Sequence, residues 1–221
     1  MKKKVIVFLA AAMSLGITIT EPLNVKAYER ELQESVTQNQ FASMIDEILQ
    51  IKEAHPEFTE KEIKEKMDGM HKTSGKERGI FDIWNALTDS EKTLCIRYPF
   101  DALKVNTARN IATEQTEQKF GYSGLGDRSD AFRHGIWNAE MTILIGKEKA
   151  ELFATAHEDK DTTGNETDGF TKEEHKNMDL HNNEVGRNIG EENPDATENE
   201  MADIIYSDIY QQDTEFIWLH E

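Results

Sequence analysis

The apolar positions of this chain recur at helical spacing. Phe41, Met44, Ile45, Ile48 and Ile51 form a stripe at steps of three and four residues, the pattern of a helix that buries one face. Thr59 with Glu62, and Thr88 with Glu91, have the spacing of capping boxes and predict two further helix starts. Pro99 opens and Gly121 closes a long helical segment. After a glycine-containing loop over 121–126, Ser129 is the expected N-cap of a helix beginning at Asp130. Residues 178–189 and 197–212 read as two more helices, and 158–177, rich in Asp, Glu, Thr and Gly, as a long surface loop. No run of alternating β-branched residues bounded by turns occurs, so the predicted class is all-α. The polar stretch HKTSGKERG at 71–79 predicts a division into a charged helical extension over 28–78 and a main all-α domain over 79–221.

The N-terminus departs from this pattern. Met1 and three lysines precede an apolar run from Val5 to about Ile19, and Val25-Lys26-Ala27 has the small or aliphatic residues of a cleavage site. This is a signal-peptide pattern, expected to be removed after Ala27 and to leave a secreted, extracellular chain. An uncleaved anchor is the alternative, but the apolar run is shorter than the roughly 20 residues that span a bilayer. Loss of the leader would take the formal net charge from −18 to about −21 on about 194 residues. So acidic a surface argues against nucleic acid or anionic membranes as partners and favours cations. With Cys95 as its single cysteine the chain makes no internal disulfide, and its stability rests on packing and on any bound ion. Between two aliphatic neighbours, Cys95 reads as a core residue.

The candidate chemistry lies in segments whose apolar faces carry unexpected polar groups. The segment DAFRHGIWNAEMTILI, from Asp130, is apolar around almost its whole circumference and predicts a central helix. Asp130, His134 and Asn138 share one face of it at four-residue steps. Next, Ala150, Phe153, Ala154 and His157 form a stripe that ends in His157, with Glu158 immediately after. In MDLHNNEVGRNIG, Met178, Asn182, Val185 and Ile189 face inward with Asp179, Asn183 and Gly186 beside them, while His181 faces out. Gly186 in mid-helix predicts close approach of another backbone or of a ligand. Imidazoles and carboxylates on three successive helices suit a divalent metal, zinc or calcium, with His134, His157 and Asp179 as ligands and Glu158 as general base. Asp130, Asn138, Asn182 and Asn183 would border that site, and Arg133 and Arg187 could meet an anionic substrate group or simply pair with surface acids. The same groups also fit a metal site without catalysis, or a hydrogen-bond network that holds three helices in register.

The spacing loosely resembles the helical metal phosphohydrolases, with Glu158 where their paired aspartate belongs. The acidic stretch of Asp159, Asp161, Thr163, Gly164, Asn165 and Asp168 resembles half of a calcium loop, but Phe170 stands where the bidentate glutamate is needed. There is no GxSxG elbow, HExxH pair, P-loop or dinucleotide fingerprint.

Four passages carry a wider resemblance: WNALTDSEKTLCIRYPFDALKVN from Trp84, KFGYSGLGDRSDAFRHGIWNAEM from Lys119, FATAHE from Phe153 and MDLHNNEVGRNIG from Met178. Through them, residues 83–189 resemble a family of secreted and toxin-associated bacterial domains of unassigned function, with the pattern DAFRHxxWNAxM, AHE, MDLHNNxVGRxIG. The resemblance implies a secreted effector or hydrolase; the competing expectation is a non-enzymatic secreted interaction domain. The acidic insertion after Glu158 and the N-terminal extension depart from the family pattern.

Overall fold

A computed structural model describes the backbone of residues 25–70 and 78–221, and the side chains of 38–70 and 79–221. Residues 1–24, which carry the lysines and apolar run of the signal-peptide pattern, and most of the expected linker lie outside the described residues, whereas Val25-Lys26-Ala27 begins the first described helix. The chain divides into two compact units, Met1–Val36 and Thr37–Glu221, and the account below concerns the second.

The described residues form nine helices and no strand: α1 (Val25–Ala54), α2 (Glu60–Gly69), α3 (Arg78–Ala86), α4 (Asp89–Arg97), α5 (Pro99–Phe120), α6 (Arg128–Ile145), α7 (Lys147–His157), α8 (Lys172–Glu192) and α9 (Glu198–Asp208). The class is all-α, as the periodicity predicts. Both expected capping boxes form: the Thr59 and Thr88 side chains accept from the backbone N–H of Glu62 and Glu91, whose carboxylates accept in return. The apolar stripe from Phe41 to Ile51 is buried. Among the described residues no helix is long and apolar enough to cross a membrane.

α6 is the central helix, with α5, α7, α8 and α9 packed against it. Its N-cap is Asp127, two residues before the expected Ser129: the Asp127 carboxylate accepts from the N–H of Ser129 and Asp130 and from the Ser129 hydroxyl. An ionised cap of this kind also complements the positive end of the helix dipole. The closest packing is between α6 and α8. A β-carbon at Gly186 would stand 2.3 Å from the Gly135 carbonyl oxygen, and one at Gly190 2.6 Å from that of Ala139. The missing side chains let the two backbones touch, as the mid-helix glycine suggests.

α8 begins six residues before the expected 178, which shortens the supposed loop. Thr171 and Glu174 form a third capping box, so 172–177 is helical despite its polarity. Replacing Thr171 with Ala is expected to cost about 1 kcal/mol, measured as a drop in urea midpoint with the slope unchanged. α9 is also shorter than expected, ending at Asp208.

The C-terminal residues close the unit without regular structure. Phe216 is buried against Gly135, and the Asn182 amide exchanges two hydrogen bonds with the Ile217 backbone, at 2.9 and 3.0 Å. Further along, Leu219 N–H donates to the Gly126 carbonyl, and Asp168 Oδ2 lies 2.9 Å from His175 Nε2 and 3.3 Å from His220 Nε2. The insertion, the glycine loop and the tail therefore meet at one aspartate.

Candidate metal centre

The α6–α8 contact sets Asp179 and Asn183 opposite His134. His134 Nε2 lies 3.3 Å from Asp179 Oδ1 and 3.6 Å from Asp130 Oδ1. One ligand atom from each of the three residues fits within 4.8 Å of the others. The Asp130 and His134 side chains are almost wholly buried, and that of Asp179 is 15% exposed.

Hydrogen bonding determines which imidazole nitrogen carries the proton. The Arg187 guanidinium can only donate, and it donates to Asn138 Oδ1 at 3.1 Å. Asn138 Nδ2 must then be the donor to Asn183 Oδ1, at 2.6 Å. Asn183 Oδ1 is thus an acceptor, so His134 Nδ1, 3.1 Å away, is the N–H donor to it. This leaves the Nε2 lone pair turned toward the two carboxylates, the tautomer a metal ligand needs. Arg187, Asn138 and Asn183 position His134 through this chain of bonds.

The electrostatics of the pocket call for positive charge. Burial, reinforced by the carboxylates of Glu158 and Asp130, pushes the Asp179 pKa up to about 8. Burial, and then the nearby Arg133 charge, holds the His134 imidazole well below its ordinary pKa of 6.5. Asp130 is tied to the Arg133 guanidinium and accepts from Gly126 N–H at 2.7 Å. Asp179 Oδ1, Glu158 Oε1 and Asn183 Nδ2 are buried without a hydrogen-bond partner. Asp179 and Asp130 thus share a poorly solvated space with a neutral imidazole and the Arg133 guanidinium, with the Glu158 carboxylate and the exposed Lys160 ammonium acting on it electrostatically.

The expected site residues separate into three groups. His134, Asp179 and Asp130 converge, with Glu158 in electrostatic reach of Asp179 and with Asn138, Asn183 and Arg187 behind His134. His157, expected as a metal ligand, has both nitrogens occupied: Nδ1 is 2.8 Å from Glu91 Oε1 and Nε2 accepts from the exposed Lys160 ammonium at 3.1 Å. The Trp137 ring contacts both histidines edge-on, with centroids 6.4 Å from His134 and 5.1 Å from His157. Asp130, rather than His157, is the third residue of the group that could hold an ion. Asn182, expected beside the site, is committed to Ile217, and Arg133, considered for a substrate anion, is committed to Asp130. His181 faces outward and meets the Glu215 carbonyl. The half calcium loop does not converge either: Asp159 meets Ser90, Asp161 accepts from Thr163, and Asp168 turns to His175 and His220.

Glu91 is the residue whose part in this arrangement periodicity does not reveal. It is legible as half of a capping box, and its second oxygen is what draws His157 away. The only signal is its place at N3 of α4, three residues after Thr88, whose hydroxyl also donates to the Ala156 carbonyl and so brings α4 to the end of α7.

Fold and site together define an all-α protein with a buried imidazole–carboxylate cluster between two closely packed helices. A family model described as a domain of unknown function (DUF6973) matches residues 92–213, and the chain belongs to that family. The matched span contains the three converging residues and Glu158. No curated protein and no solved structure matches the chain.

Proposed function

We propose that this protein is a secreted, metal-dependent hydrolase that holds one divalent ion on His134 Nε2, Asp179 and Asp130. The observation that carries the reading is the orphaned Asp179 Oδ1, buried beside two other carboxylates and facing an imidazole whose free nitrogen points the same way. A purely structural network would satisfy its buried polar atoms, because each one left unpaired costs free energy. Here three are unpaired in one place, and a cation would satisfy the two that are carboxylate oxygens.

One imidazole and two carboxylates favour zinc over calcium, which takes six to eight oxygen ligands. A bound ion of this kind lowers the pKa of a water and polarises an ester or phosphoester oxygen. Glu158, buried within electrostatic reach of Asp179 and with a free carboxylate oxygen, would take up the proton. The lysine-led apolar N-terminus supports export, and divalent cations are available outside the cell.

The test is metal analysis and turnover on the same samples. Chelator-treated protein given zinc is expected to retain one ion per chain and to hydrolyse a member of a panel of phosphoesters, lipid esters and peptidoglycan fragments. Glu158→Gln should keep the ion and lose turnover by about a hundredfold or more. No stoichiometric uptake would overturn the metal centre. Uptake without turnover on any class would overturn the hydrolase and leave a structural ion.

A further inference from the structure

Trp137 is also one wall of a cavity of about 140 Å³ that His157 lines and His134 does not. Much of its surface is apolar, from Val105, Phe153 and the buried Cys95, whose thiol burial pushes up to about 12 and so keeps uncharged. A dry cavity of roughly 150 Å³ accommodates a molecule the size of benzene.

Two polar groups on α5 stand in this apolar setting without a hydrogen bond or ion pair to any described side chain. Val105, Asn106 and Arg109 fall on one face of the helix and all line the cavity. Asn106 is 5% exposed, and its side-chain amide makes no hydrogen bond with any described residue. Arg109 opens to solvent at the cavity and makes no ion pair with a described carboxylate, Glu91 acting on it only at longer range. Glu91, the one carboxylate of the lining, is already committed to His157 through Oε1 and to the Thr88 N–H through Oε2. The unfilled capacity is therefore mainly that of donors, a planar guanidinium fork and an amide.

We propose that this cavity binds a small monocarboxylate with an aromatic or branched aliphatic body. The body lies against Phe153 and Val105, and the carboxylate accepts from Arg109 and Asn106. A dianion is disfavoured by Glu91 in the same wall. The site does not depend on the metal centre, and its test uses metal-free protein so that either can fail alone.

Calorimetric titration of the chelator-treated chain with benzoate is expected to show one saturable site. Benzyl alcohol, with the same ring and no charge, should bind at least about tenfold more weakly. Arg109→Gln should weaken benzoate by about tenfold or more and leave benzyl alcohol unchanged, because it removes a charge-assisted bond and little apolar wall. Val105→Phe, which fills the cavity, should abolish both. Asn106→Leu, close in volume, should weaken benzoate and not benzyl alcohol, and thermal unfolding checks that each variant is folded. Absence of saturable benzoate binding, equal affinity for the two ligands, or benzoate binding indifferent to Arg109→Gln and Asn106→Leu would overturn the proposal.

Discussion

Metal-free Asp179→Asn protein is expected to be more stable than the wild type at pH 7, by roughly 2–4 kcal/mol, while its zinc binding is lost. Asp179 is buried beside Glu158 and Asp130, and its pKa rises from 3.8 to about 8. The native state therefore binds a proton that the unfolded chain has already released. Its contribution to stability is fully present below about pH 3.8 and is lost as the pH rises through about 8. Asparagine resembles the protonated acid in shape and stays neutral, so the variant should lack this slope. Urea unfolding of chelator-treated protein across that window checks it. A variant no more stable than wild type at pH 7, or an unchanged slope, would refute the charge crowding on which the metal site rests. In the wild type the same strain should be relieved by zinc, with release of about one proton per ion below pH 8. Saturation at a hundredfold over Kd adds about 2.7 kcal/mol.

Gly186→Ala is expected to destabilise the protein by about 3 kcal/mol or more and to lower zinc affinity along with it. Two effects compete. Alanine gains about 1 kcal/mol of helix propensity over glycine. Its β-carbon, however, would stand 2.3 Å from the Gly135 carbonyl oxygen and 2.8 Å from Gly135 Cα, and backbone atoms cannot rotate away as a side chain could. The helices must separate, which costs more than the propensity returns. Gly69→Ala is the control: nothing lies within 4 Å of the added carbon there, so it should be neutral or slightly stabilising. Similar losses at both positions would mean that the α6–α8 contact is not the determinant.

The site is partly legible in the amino-acid sequence, and the limits have physical causes. Asp130 and His134 stand out because four-residue spacing puts them on one face of a helix, and Asp179 with Asn183 for the same reason. Periodicity shows that a side chain points inward but not which neighbour it meets. His157 does point inward, yet the neighbour is Glu91 of α4, 66 residues away in the chain. Asn182 and Asn183 are adjacent and both buried, but about 100° apart around the helix, so one joins the His134 network and the other the tail. Phe216 and Ile217 have no periodic context to mark them as packing residues. The start of α8 is written in Thr171 and Glu174, the same signature as Thr59 with Glu62, but the polar stretch around it masks the signal.

The sequence of hydrogen bonds from Arg187 through Asn138 and Asn183 to His134 bears on more than a tautomer. Gly186 and Gly190 are four residues apart, so sliding α8 one turn along α6 keeps a glycine at one close contact but brings Asn182 or Pro194 to the other, where a β-carbon does not fit. A slide of one turn would bring Arg187 or Asp179 to the position of Asn183, leaving a cation facing the imidazole or a carboxylate facing Asn138, each buried without its proper partner. Steric clash at the glycines and mispaired charge at the polar residues thus reject the same misalignment, and together they admit one alignment of α6 and α8.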